Sequence, residues 1–162
     1  MAQLQIRIDG DPILRKKSRK VETFDDSLKQ LIDDMYDTMY GAEGVGLAAV
    51  QIGKLKRLIV LDDYEGTKMV LINPERVAEE GSCEAMEGCL SVPERMGKVE
   101  RFEKVKINYM SEKGEEKTLE AEDFLARIIQ HEMDHLDGIL YTDRAEEMYN
   151  VNNSREGDEE QC

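Results

Sequence analysis

A chain of 162 residues with 22 basic and 36 acidic side chains carries a formal charge of −14, and 40% of its residues are apolar. That length and apolar share suit one domain with one core. No run reaches the roughly 18–20 apolar residues that cross a bilayer, the opening MAQLQIRIDG lacks the apolar stretch of a signal peptide, and the acid excess argues against nucleic acid, DNA included, or membrane as partner. Three cysteines, Cys83, Cys89 and Cys162, are too few and scattered for a disulfide framework, so a cysteine with a special role is more readily a ligand or nucleophile. The expected location is cytoplasmic.

In chain order, Gly10-Asp11-Pro12-Ile13-Leu14-Arg15 has turn chemistry followed by a short helical stretch. Leu28, Leu31, Ile32, Met35 and Met39 recur at three- and four-residue spacing and predict a helix, with Asp25 and Asp26 in its first turn and Gly41 at its stop. Leu58–Leu61 and Met69–Ile72 read as a hairpin around the polar Asp62–Thr67, ended by Pro74. Val105, Ile107 and Tyr109 alternate with polar residues as a half-buried strand does, and a return strand follows near Thr118–Glu120. A helix is expected from about Ala121 to Leu136, closed by Gly138. Residues 1–149 read as one domain and residues 150–162 as a disordered acidic tail. The fold class expected is α+β: small antiparallel or mixed sheets packed around a central C-terminal helix.

The two histidines of the chain, His131 and His135, lie four residues apart on that helix, in one stripe with Phe124 and Ile128. Four residues is just over a turn, so both imidazoles project to one side and can grip one ion. Glu132 stands about 100° around the helix from His131, placed to serve water activated by the ion without being a ligand. Burying two imidazoles as mere core polar groups is the bland alternative, and it is costly without partners. The pattern H-E-x-x-H indicates metal and hydrolysis but no substrate. A catalytic site keeps three protein ligands and a wet position. A histidine six residues past His135 would supply the third in one common pattern, but position 141 is Tyr141; Glu146 and Glu147 lie too close along the chain for a separate helix. Cys89, in Glu87-Gly88-Cys89-Leu90-Ser91, is left.

Three strings then converge: Gly44-Val45-Gly46-Leu47-Ala48-Ala49-Val50-Gln51, Glu87-Gly88-Cys89-Leu90-Ser91 and Gln130-His131-Glu132-Met133-Asp134-His135. In this order they closely resemble the three signature motifs of peptide deformylases, and GDPILR is similar to that family's N-terminal region, so the likeness spans about residues 5–145. The resemblance implies a hydrolase that removes the formyl group from N-formylmethionyl nascent peptides. It implies that Cys89, His131 and His135 hold one divalent ion, Fe²⁺ natively with Zn²⁺, Ni²⁺ or Co²⁺ tolerated. Glu132 would be the general acid and base, with Gln51 and the Leu90 N–H facing the oxyanion. Val45, Phe124 and Ile128 would form the methionine pocket, and Gly46, Glu87 and Gly88 would also bind substrate. A monomer working near the ribosome is the expected setting. The acidic Glu156, Asp158, Glu159 and Glu160 oppose docking through the tail. Val50 stands where the family usually has proline, which predicts a looser loop and a less firmly held Gln51. Two other functions fit H-E-x-x-H alone: a general metallopeptidase indifferent to Cys89, and a silent metal-holding module with a fourth protein ligand.

Overall fold

Every residue of Leu58–Leu61 is apolar because the strand it forms is covered on both faces. In the computed structural model, which describes residues 3–150, this strand is β2 (Leu58–Asp62), the second strand of a five-stranded sheet in the order β1-β2-β3-β6-β7. Side chains alternate across a strand, so Leu58 and Val60 meet α1 (Asp26–Gly41) while Ile59 and Leu61 meet α2 (Asp123–Leu136). Helix α1 is started by Asp25, whose side chain accepts the Leu28 N–H at 3.0 Å. Its predicted stripe holds: Leu28, Ile32, Met35 and Met39 are buried.

Two expectations are corrected within this sheet. Strand β3 (Lys68–Glu80) does not end at Pro74 but runs through it to pair with β6 (Lys104–Met110). The register shifts between Ile72 and Glu75, so the bulge absorbs the residue that cannot donate. Asn73 takes a left-handed φ of 52° there, and its side chain bonds both the N–H and the carbonyl of Val21, at 2.8 and 2.9 Å. Second, α2 begins at Asp123, not Ala121, because Ala121 and Glu122 still pair with Val105 and Lys104 as the end of β7 (Glu116–Glu122). The glycine-rich segment after α1 is no simple loop either: β1 (Gly46–Ala48) pairs with β2, and Ala49–Ile52 follows as a 3₁₀ turn.

More than one sheet was expected, but the strands of the second were not placed from sequence. Strands β4 (Cys83–Cys89), β5 (Val92–Arg101) and β8 (Glu147–Asn150) form it in that order. Every ladder in both sheets is antiparallel; the parallel element among the described residues is an isolated bridge between Arg19 and Lys56. Helix α2 is the centre of the molecule, as expected, with Ala126 through Leu136 buried without interruption. Asn150 closes β8, and the rest of the predicted tail lies outside the described residues. No described helix is long and apolar enough to cross a membrane.

Leu61 is fully buried in the cluster that joins β2 to α2. Leu61→Ala should therefore cost about 2–5 kcal/mol, read from the shift of a urea unfolding midpoint. A loss below about 1 kcal/mol would show that this face is not the support of α2.

Candidate metal centre and groove

Helical geometry stacks His131 above His135, with ring centroids 5.1 Å apart. Cys89 approaches them from the last position of β4, where the β4–β5 register shifts between Glu87 and Cys89. Its sulfur lies 3.3 Å from His135 Nε2. Donor atoms of Cys89, His131 and His135 all fall within 4.8 Å of one another, the one such group among the described residues. The donor set fits a divalent ion: a sulfur and a nitrogen on one tetrahedral metal stand about 3.5 Å apart, and two imidazoles with a thiolate suit iron, cobalt, nickel and zinc alike.

What turns His131 toward this point is Glu87. His131 Nδ1 is 2.9 Å from Glu87 Oε1; a carboxylate only accepts, so Nδ1 carries the hydrogen and Nε2 keeps its lone pair. The same carboxylate accepts from Arg101 Nε and Nη2 at 2.8 and 2.9 Å and from Arg127 Nη1 at 2.5 Å. Burial would raise the Glu87 pKa, but Arg101 and His131 outweigh it and hold the group well below the usual carboxylate range. Arg101 continues to Asp134 at 2.7 Å, which also takes a two-bond grip from Arg144, at 2.6 and 3.0 Å. Tyr141 stacks on the other side of His131 at 5.9 Å. Burial opposes a charge on either imidazole. For His131 the Cys89 sulfur and Glu87 overcome that and raise its pKa; for His135 burial, reinforced by His131, pushes it down.

Glu132 has the opposite environment. Its Oε1 is buried with no hydrogen-bond partner, and burial pushes its pKa up to about 7. Gly46 explains how the carboxylate fits. A Cβ at Gly46 would stand 2.7 Å from Glu132 Oε2, so the absent side chain makes room for this carboxylate. At Gly44 the displaced group would be the Leu90 side chain, at 2.7 Å. Nothing in the fold demands glycine at Gly88, where a Cβ would meet ordinary contacts at 3.7 Å and beyond.

These residues border a groove of about 460 Å³. Val45, Gly46, Gln51, Glu87, Gly88, Cys89, Leu90, Phe124, Ile128, His131 and Glu132 all line it, while His135 lies fully buried behind. Gln51 is held on three sides: its Oε1 accepts the Ala48 N–H at 2.9 Å, and its Nε2 donates to Ser91 Oγ at 3.0 Å and, weakly, toward Cys89 Sγ at 3.6 Å. Val50, just before it, is fully buried in the cluster with β2 and α2. Sequence reasoning missed Met86, Arg95 and Met96, which β4 and β5 bring to the groove, and the arginines around Glu87. Arg127, one turn before His131, was the findable one. Tyr64 was missed as well; its hydroxyl donates to the Gly44 carbonyl at 3.0 Å and pins the groove's lip.

A family model described as polypeptide deformylase matches residues 3–151. The chain is 57% identical over 147 residues to peptide deformylase 1 of Clostridium acetobutylicum, covering 91% of this chain and 97% of that one. It is 47% identical to the peptide deformylase of Finegoldia magna, over 96% and all of the two chains. The crystal structure of the Thermotoga maritima peptide deformylase superimposes with a TM-score of 0.88 at 41% identity, covering 91% of this chain and all of the other.

Glu87→Gln keeps the shape but loses the charge that orients His131. Metal affinity, measured by competition with a chromophoric chelator, should fall about 10–100-fold. An unchanged affinity would show that Glu87 does not set the His131 ring.

Proposed function

The chain belongs to the polypeptide deformylase family, metalloenzymes that remove the N-formyl group from nascent peptides, and on that premise we propose how its residues divide the work. Cys89 Sγ, His131 Nε2 and His135 Nε2 are the ligands, and Fe²⁺ is the native ion. When bound, the ion supplies Lewis acidity, making water a nucleophile at neutral pH and polarising the formyl carbonyl. Every other part belongs to the side chains.

Glu132 is the base and then the acid. Its unpartnered Oε1 and a pKa raised by burial to about 7 let it hold a proton and release it at working pH. It takes the proton of the attacking water as that oxygen bonds to the formyl carbon. It then gives a proton to the departing nitrogen as the carbon–nitrogen bond breaks, because an amine leaves poorly without one. Formate and a free α-amine result. The developing oxyanion meets the Gln51 amide and the Leu90 N–H. The Gln51 hydrogen aimed at sulfur across 3.6 Å is barely engaged and so available to the oxyanion. Donors of this kind are worth about 3–4 kcal/mol each. Val45, Phe124 and Ile128 receive the methionine side chain. Gly88, whose bareness the fold does not require, keeps space for the peptide backbone. Glu87 lines the same groove, but with its carboxylate spent on two arginines and His131 it acts by holding His131. The enzyme works as a monomer in the cytoplasm, close to the ribosome that supplies its substrate but without docking through its tail.

A single observation carries this assignment: a buried, unpaired Glu132 beside three converged sulfur and nitrogen donors. Measured as formate release from formyl-Met-Ala-Ser by anaerobically loaded protein, Glu132→Gln should lower kcat by about 10²–10⁴-fold with metal content intact. Cys89→Ala should lose both metal and turnover. A Cys89→Ala variant as active as wild type, or cleavage of an unformylated internal peptide, would instead select a general metallopeptidase; metal without turnover would select a silent module.

Gly46→Ala tests the steric reading. The new methyl must displace the Glu132 carboxylate, and a displacement near 1 Å should cost kcat about 10²-fold with KM and metal content little changed. Undiminished kcat would mean that Glu132 has room to spare.

A further inference from the structure

Away from the groove, the surface carries a strongly basic patch. Lys16, Lys17, Arg19 and Lys20 lie in the run KKSRK, and all four are exposed, as are Lys54 and Lys56. The fold places the two segments side by side. Arg19 and Lys56 are bridge partners, the Arg19 N–H donates to the Leu55 carbonyl at 3.0 Å, and the Arg57 N–H donates to the Arg19 carbonyl at 2.9 Å. Beneath them, Arg57 Nη1 donates to the carbonyls of Ser18 and Leu136 at 3.3 and 3.1 Å, and Arg57 pairs with Asp137. The patch is therefore fastened to the end of α2 and its backbone is fixed. A cleft of about 360 Å³ lies within it, lined by Arg19, Lys20, Lys54 and Lys56 with Gly53 and Leu55.

None of these six cations forms an ion pair among the described residues. In a chain with 36 carboxylates that is an unusual place to leave charge unanswered. Acidic residues do stand near: Glu22 is exposed just after Lys20, and Asp25 and Asp34 line the adjoining cleft with Lys54 and Lys56. They are fewer than the cations. The net charge of −14 averages over the whole surface and hides this local excess, which over a Debye length of about 8–10 Å is what a partner meets.

We infer that this patch docks the enzyme on the phosphate backbone of RNA. Charge complementarity selects a polyanion, and a rigid double row of Lys and Arg suits phosphates spaced along a strand. Lipid is disfavoured because a membrane-seated patch also inserts apolar side chains, and the exposed large apolar residues, Ile8, Tyr64, Val77 and Phe102, are not among those of the patch. RNA is also what surrounds a nascent chain where it is made, and none of the six residues lines the substrate groove, so docking leaves the groove open.

The test uses the metal-loaded full chain with three probes: purified ribosomal RNA, phosphatidylglycerol–phosphatidylcholine vesicles and polyglutamate. Binding is read at about 50 and 200 mM salt. Expected is RNA binding that weakens with salt at a log–log slope of about −3 to −5. Lys16→Glu, Lys17→Glu, Lys54→Glu and Lys56→Glu combined should weaken it about tenfold or more, with formate release from free formyl-Met-Ala-Ser unaltered. Should that variant fold poorly, Lys17→Gln with Lys54→Gln should still lower the slope by about 1–2. No RNA binding at the lower salt, equal binding by the variants, or preference for vesicles or polyglutamate over RNA would each overturn the proposal. Loss of formate release by unsubstituted enzyme would instead count against the catalytic reading.

Discussion

The carboxylate of Glu87 is the point at which the second sheet, the central helix and the metal centre are tied together. It sits in β4, accepts from Arg101 in β5 and from Arg127 and His131 in α2. Removing a buried charge from such a cluster leaves its partners uncompensated, a larger penalty than the cluster's own net worth. The arrangement is therefore better understood as specifying geometry than as adding stability. Two sheets that share no ladder are held in one register relative to α2, and Cys89, two residues from Glu87, is delivered to the histidines as a consequence. The short hydrophobic cluster of Val92, Val99 and Tyr141 could not fix that register by itself, since apolar contacts have no direction.

Two glutamates within one site thus have opposite fates, and the difference is entirely one of partners. Glu87 and Glu132 are both buried. Two guanidiniums and an imidazole keep Glu87 charged; Glu132 has no hydrogen bond at one oxygen and sits between repelling carboxylates and the attraction of His131. One is fixed as an anion and can orient; the other can change its protonation state and can therefore move a proton. The bare Cα of Gly46 keeps space for the second without offering it a hydrogen bond.

Much of this was legible in sequence where a periodicity or a spacing carried it. Helix α1 announced itself by its stripe, β2 by an unbroken apolar run, and the histidine pair by its four-residue step. The second sheet was not legible. Its strands mix Glu, Arg and Lys with Met, Gly and Val, and their burial follows from partners in α2 and the 3₁₀ turn near Tyr141, which no local pattern encodes. Arg101 and Arg127 drew no reading from the sequence for the same reason: what buries them is a carboxylate 14 and 40 residues away. Pro74 misled because a proline ends a strand only where its missing N–H is needed, and a bulge removes that need. Gly46 was read as room for substrate, because sequence shows the vacancy and not its occupant.

Charge balance links the network to the ion. Glu87 is answered by Arg101 and Arg127, and Asp134 by Arg101 and Arg144. The proposed thiolate of Cys89 and the carboxylate of Glu132 are left over, since the hydrogen bonds of these arginines go to Glu87, Asp134 and backbone carbonyls. Two unanswered negative charges in a low-dielectric site are costly, and the group that cancels them without a further side chain is a dication. All three arginines of the network are thus spent on Glu87 and Asp134, and the sulfur and the glutamate are left to the proposed ion. Glu132 is spared the fixed role of Glu87: buried and without a partner at Oε1, it can take a proton and give it back.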